Sequence, residues 1–177
     1  MKNGLFIICF LFTVVFFSCQ SNDEKQSRSS KVNIPKAKEK LVRTNQYLVK
    51  AEEQSIQDFI KRYKYDMTET GSGLLYEIYK NGEGPKAEKG KIAELKFQIR
   101  LLNGEVVYES DNDDVKEFLI GKGGVESGLE EGILLLQVGD RARFILPSHL
   151  AFGLLGDLQK IPERSAIVYD LELLNLK

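Results

Sequence analysis

The sequence predicts an α+β fold, a twisted antiparallel β-sheet wrapped around a short helix and preceded by an amphipathic N-terminal helix. Three stretches carry that expectation. Ala93, Leu95, Phe97, Ile99 and Leu101 alternate without exception against Glu94, Lys96, Gln98 and Arg100, the period of a strand with one buried face. Gly121, Gly123 and Gly124 permit a tight reversal, after which Leu129, Ile133 and Leu136 fall on one helical face over 128–136. Glu130 and Glu131 stand near its start, where carboxylates favour the positive end of a helix dipole. Ile167, Tyr169, Leu171 and Leu173 then alternate with Val168, Asp170 and Glu172 in a closing strand.

From the N-terminus, Lys2, the apolar run at 4–17 and the boundary at Ser18 and Cys19 are the three parts of a secretory signal. The run is shorter than the roughly 18 apolar residues of a spanning helix. A cysteine directly after a small residue at that boundary resembles a bacterial lipoprotein signal. The resemblance implies cleavage between Ser18 and Cys19, diacylation of Cys19 and an N-acylated mature terminus, two anchoring chains holding a protein stably on a bilayer where one would not. Phe16 and Phe17 depart from the usual box, Leu and then a small residue, and fit the relaxed boxes of Bacteroidetes-like lipoproteins. Residues 20–25 look like the export stretch of surface lipoproteins in that group. The implied location is the cell envelope, lipid-anchored to the outer membrane on its periplasmic or surface side. The alternative is an ordinary cleaved signal that leaves Cys19 a free thiol.

Residues 19–35 are Ser-, Asn-, Gln- and Lys-rich with almost nothing apolar, too little to bury for an ordered core, and read as a flexible tether. Leu41, Leu48, Ile56, Phe59 and Tyr63 follow at steps of one helical face, so 36–63 reads as a helix within an extension over 36–70. Its apolar stripe needs a cover: the outer face of the following domain, a second copy of the chain, or a partner protein. Residues 67–71 read as a loop, 74–79 as a strand, 81–85 as a turn. Asn103-Gly104 is a hairpin signal before a return strand at 106–108. Phe118, Leu119 and Ile120 make a short strand. Gly139 and Asp140 turn the chain into a strand in which Ala142, Phe144 and Leu146 alternate with Arg141 and Arg143, and Pro147 ends it. The connection 148–164 carries Leu150, Phe152, Leu154, Leu155, Leu158 and Ile161. Structureless loops beyond about 12–15 residues are functional or disordered; this one is too apolar for disorder and is predicted to wall a binding groove.

Several function classes drop out. A formal net charge of −1 over 177 residues is no nucleic-acid footprint. A lone histidine, with one cysteine in the signal and the other at its boundary, makes no zinc site. The acidic loop 111–114 lacks the glycine and terminal Glu of a calcium loop. Gly121-Lys122-Gly123-Gly124 lacks the spacing of a phosphate loop, and His149 has no nucleophile partnered to it by motif.

The ordered motifs G-K-G-G-V-x-x-G-L-E-E-G (121–132), V-G-D-R-A-R (138–143), P-x-x-x-A-F-G (147–153), I-P (161–162) and A-I-V-Y-D-L-E-L-L (166–174) resemble FKBP-type peptidyl-prolyl cis/trans isomerases over roughly 73–177. The whole layout, a signal, tether, helix and a domain at 71–177, is similar to the gliding-motility-associated FKBP-type lipoproteins of Bacteroidetes. The resemblance implies proline-containing polypeptides as substrates and no cofactor. Rotating an X-Pro bond needs neither nucleophile nor proton transfer: an apolar pocket and a placed donor favour the twisted, desolvated amide.

By position, the resemblance puts the pocket floor at Leu129, where many members have Trp. It puts the walls at Phe97, Val107, Val125, Phe152, Ile161 and Tyr169, and the donor to the substrate carbonyl at the backbone N–H of Glu126. The chain departs from the pattern at Phe97 and Phe152, where tyrosines are usual, at Val107, usually Phe, and at Lys116 and Lys160 on the rim. A lost Tyr hydroxyl costs up to about tenfold in rate, since a neutral hydrogen bond contributes about 0.5–1.5 kcal/mol. Tyr108 stands where an Asp is usual, which removes a charge and fills space; Glu109 faces the other side of the strand. Two readings follow: an isomerase assisting the folding of exported proteins, or a weak or inactive module or chaperone that binds a partner in a cell-envelope or motility apparatus.

Overall fold

The computed structural model describes residues 34–110 and 115–177; the expected signal, Cys19, the tether up to residue 33 and the acidic loop lie outside them. The chain divides into units 1–38 and 39–177. The described part of the first is the opening turn of helix α1 (Ile34–Tyr63).

In the second unit α1 is followed by β1 (Thr68–Glu69), β2 (Leu75–Lys80), β3 (Ile92–Leu101), β4 (Val106–Glu109), β5 (Lys116–Leu119), α2 (Ser127–Ile133), β6 (Arg141–Leu146), a 3-10 turn (Ser148–Leu150) and β7 (Ile167–Leu176). Among the described residues the strands form one sheet in the order β1-β2-β6-β7-β3-β4, with β5 also on β3, all pairs antiparallel. β3 pairs β5 through Ile92–Leu95 and β4 through Gln98–Arg100, so its free edge is shared between them. Register shifts at Glu94/Leu95, Ile99/Arg100 and Ile78/Lys80 add local twist of the kind bulges produce.

The alternation read from the sequence sorts the two faces. Leu95, Ile99, Ala142, Phe144, Leu146, Ile167, Tyr169, Leu171 and Leu173 point into one buried cluster with Leu129, Ile133 and Leu136 of the α2 segment. The helix lies close to the sheet because it carries glycines there. A Cβ on Gly132 would come within 2.5 Å of Phe144, and one on Gly128 within 2.5 Å of Leu146. The helix is shorter than expected: past Ile133 the chain tightens, the N–H groups of Leu135 and Leu136 donating to the carbonyls of Gly132 and Ile133. Leu136 is still fully buried. Residues 67–71, expected as a loop, contain the two-residue strand β1, which sequence periodicity is too short to register.

The opposite face is covered in part. Ile56 and Phe59 of α1 pack with Leu75, Ile145, Ala166 and Val168 in a second buried cluster. Burying two such side chains contributes about 1.5–3 kcal/mol each. This contact accounts for Ile145 and Val168, apolar residues at positions a one-sided sheet would give to water. The remaining outer positions form a charged lattice. Arg143 bridges Glu77 and Asp170 at 3.0 Å each and lies 3.9 Å from the Tyr65 ring centroid.

Candidate functional site

A groove of about 960 Å³ opens at the edge of the first cluster. β3 contributes Phe97 and Ile99, β4 contributes Tyr108 and Glu109, and Val115 and Lys116 lie at the start of β5. The turn into α2 contributes Gly124, Val125 and Glu126, and the long connection Ala151, Phe152, Asp157 and Gln159. Of the residues expected at the site, Phe97, Tyr108, Val125, Glu126 and Phe152 line it. Val107, Leu129, Ile161 and Tyr169 are buried members of the core cluster against which Phe97, Tyr108, Val125 and Phe152 pack. A second groove, about 980 Å³, runs between α1 and the 3-10 turn and is lined by none of these nine residues.

Glu126 does more than present its backbone. It sits immediately before α2, where its carbonyl accepts from the N–H groups of Leu129 and Glu130. Its side chain, 6% exposed, accepts a hydrogen bond from the Tyr169 hydroxyl at 3.0 Å and lies 3.5 Å from the Lys116 ammonium. A carboxylate this enclosed is held by its donors. Burial first, and then the charge of Glu126, push the Tyr169 phenol far above its ordinary range. It stays a donor. Lys116 also donates to the Tyr169 oxygen at 3.2 Å and lies 5.5 Å from the Phe97 ring centroid. The rim lysine is thus folded over aromatic surface, a cation–π arrangement.

Tyr108 also finds an acidic partner. Its hydroxyl donates to Asp157 Oδ2, so a carboxylate stands on this groove although residue 108 carries none. Burial opposes ionisation of Asp157, but the bonds from Tyr108 and from the N–H groups of Gln159, Ile161 and Lys160 outweigh it and hold the carboxyl below its ordinary value. Reciprocally, the bond to Asp157, then burial, raise the Tyr108 phenol. Lys160 Nζ donates to the Val107 carbonyl at 3.0 Å and lies 5.0 Å from the Tyr108 ring centroid. Asp157 escaped the sequence reading because its partner is distant in sequence. The available signal was an Asp ahead of three backbone N–H groups, the pattern of a side-chain-capped turn.

The glycine reversal is pinned from α2: Glu130 accepts from the N–H groups of Gly121 at 2.7 Å and Gly123 at 2.9 Å. The Glu130 carboxylate therefore serves the turn as well as the helix end. His149 is exposed, with Nε2 3.1 Å from the Ser72 carbonyl. Among the described residues no group of three His, Cys, Asp or Glu is arranged to hold a metal ion, and no helix is long and apolar enough to cross a membrane. The groove itself offers aromatic and aliphatic walls, an enclosed carboxylate and fixed hydroxyls. That suits binding and desolvating a planar amide more than attack on it.

Comparison with known proteins agrees with this geometry. A family model described as FKBP-type peptidyl-prolyl cis-trans isomerase matches residues 84–174. The chain is 31% identical over 139 residues to the probable FKBP-type peptidyl-prolyl cis-trans isomerase FkpA of Neisseria meningitidis serogroup B, 77% of this chain and 51% of that protein. It is 31% identical over 111 residues to FK506-binding protein 4 of Rhizopus delemar, 63% of this chain and 29% of that protein. It thus spans about half or less of these relatives. Among solved structures, a peptidyl-prolyl cis-trans isomerase of Pseudomonas syringae pv. tomato superposes with a TM-score of 0.64 at 23% identity, over 75% of this chain and 95% of that one. AtFKBP13 gives a TM-score of 0.61 at 29% identity, over 64% of this chain and all of the other.

Proposed function

The chain belongs to the FKBP-type peptidyl-prolyl cis-trans isomerase family, and from that premise we propose that it isomerises X-Pro bonds in exported polypeptides from a lipid anchor on Cys19. The observation that carries the catalytic part is the groove: Phe97, Val125 and Phe152 form apolar walls backed by a fully buried Leu129 and Tyr169. A proline ring seated there leaves water, and the lost solvation of its planar amide lowers the cost of twisting it. The direct test is proline-limited refolding of a model substrate with catalytic amounts of the chain from Gln20 onward. The uncatalysed phase lasts tens to hundreds of seconds, and its acceleration in proportion to added protein is expected. No acceleration from folded protein sinks the isomerase reading.

A binding module is the second reading, and the observation that favours it is Tyr108, whose ring fills groove space. Tyr108→Asp separates the two: a large gain in rate marks an isomerase frame limited at that position, and no gain favours binding or another catalytic arrangement. The anchor is supported by the signal-like start and the residue at its boundary. Mass measurement of the protein extracted from membranes is expected to show an acylated terminus at Cys19; an unmodified terminus still bearing the signal overturns it.

A further inference from the structure

We propose that Asp157 is a positioning residue of this groove, whose single carboxylate fixes both the Tyr108 hydroxyl and the 156–161 turn that brings Gln159 to the wall. The inference rests on reading the groove as the seat of a proline-containing polypeptide. Asp157 Oδ1 accepts from the N–H groups of Gln159 at 2.9 Å, Lys160 at 3.0 Å and Ile161 at 2.7 Å, while its own N–H donates to the Ile161 carbonyl at 3.2 Å. Its other oxygen takes the Tyr108 hydroxyl. The turn is otherwise costly to form. Leu158 adopts φ +62° and is 83% exposed, so neither its conformation nor burial holds it there. Gly156, at φ +68°, lies so near the Ile161 carbonyl that a Cβ would stand 2.1 Å from its oxygen. The carboxylate thus joins β4 to the connection, across residues distant in sequence, and Lys160 repeats the junction through Val107.

Substitution by the amide is informative because it splits the two tasks. The Oδ1 of Asp157→Asn still caps the turn, but its Nδ2 is a donor and faces the Tyr108 oxygen. The hydroxyl hydrogen must then swing away from the wall. Binding of a tetrapeptide with an apolar residue before proline is measured by amide-shift titration, and its isomerisation by KM and kcat, for the wild-type chain, Asp157→Asn, Tyr108→Phe and the double variant.

Each single variant is expected to weaken Kd, and to raise KM where there is turnover, by about 5- to 10-fold, as for loss of a charge-assisted hydrogen bond. The double is expected within about twofold of the weaker single. A purely structural loss lowers the amount of competent protein, hence the saturating signal and kcat, without moving Kd or KM. Single variants that bind like wild type, or effects that multiply in the double, overturn the proposal, as does wild-type protein that takes up no peptide. If Asp157→Asn does not fold, Tyr108→Phe decides alone: unchanged affinity overturns. Wild-type protein that binds the peptide without turning it over sinks the isomerase reading while the affinities still decide Asp157.

Discussion

Tyr79 and Tyr169 belong to opposite faces of the sheet, and each phenol is kept protonated by burial together with a neighbouring carboxylate. Tyr79 donates to Asp170, and burial, then that bond, push its pKa up to about 12 against the pull of Arg143 and Arg141. A phenol whose pKa is raised in the fold adds stability that is fully present below its ordinary value of 10.0 and is lost as pH climbs through about 12. Alkaline absorbance titration is expected to lose one tyrosine from the component near 12 in Tyr79→Phe relative to the wild type; titration of Tyr79 at its ordinary value refutes the assignment. On the acid side the sign reverses. The lowered carboxyl of Asp157 contributes above the ordinary value of 3.8, and that contribution disappears as pH falls through its depressed pKa. Urea midpoints measured down the acid range should converge for wild type and Asp157→Asn, and a gap that stays constant with pH would show that the carboxylate's ionisation is not what stabilises.

Between elements, contact distance decides. Gly132 admits the Phe144 ring where a Cβ would stand 2.5 Å away, and that ring is fully buried with nowhere to yield. Gly132→Ala is therefore expected to destabilise by about 1–3 kcal/mol through overpacking, despite alanine's better helix propensity. A stabilised variant in urea unfolding would mean that α2 stands further from β6. The periodicities of β3, β6 and β7 were legible in the sequence because a sheet with one buried face repeats every two residues, and α2 because its apolar residues return at helical spacing. What broke those periods was not. Ile145 and Val168 are outward positions made apolar by α1, and nothing local announces which helix will cover them. Site residues divided in the same way. Val125 and Phe152 lie in ordered motifs and Phe97 in the β3 alternation, whereas the Tyr108–Asp157 and Glu126–Tyr169 pairs join residues that only the folded sheet brings together.

At the scale of the whole molecule, α1 is a helix supported over part of its length. Phe59 is 1% exposed and Ile56 4%, while Leu41, Tyr47 and Val49 are 70%, 72% and 53% exposed. Removing the Phe59 side chain, Phe59→Ala, is expected to cost about 3–5 kcal/mol, a large share of the roughly 5–15 kcal/mol that holds a domain together. The same change at Tyr47 should register within about 0.5 kcal/mol. Between those positions, Glu52 accepts from the Ser148 N–H at 2.6 Å and its hydroxyl at 3.0 Å, and an exposed bond from Arg164 to Asn45 Oδ1 at 3.2 Å continues that polar seam towards the exposed apolar side chains. Helical segments under about 12–15 residues are marginal in water without packing. Amides at 55–63 should therefore exchange only with global unfolding, and those at 41–48 through local fraying, many-fold faster. Hydrogen exchange at two protein concentrations reads this directly. Uniform protection along α1 would overturn the gradient, and if that protection grew with concentration, the exposed face would be covered by a second copy of the chain.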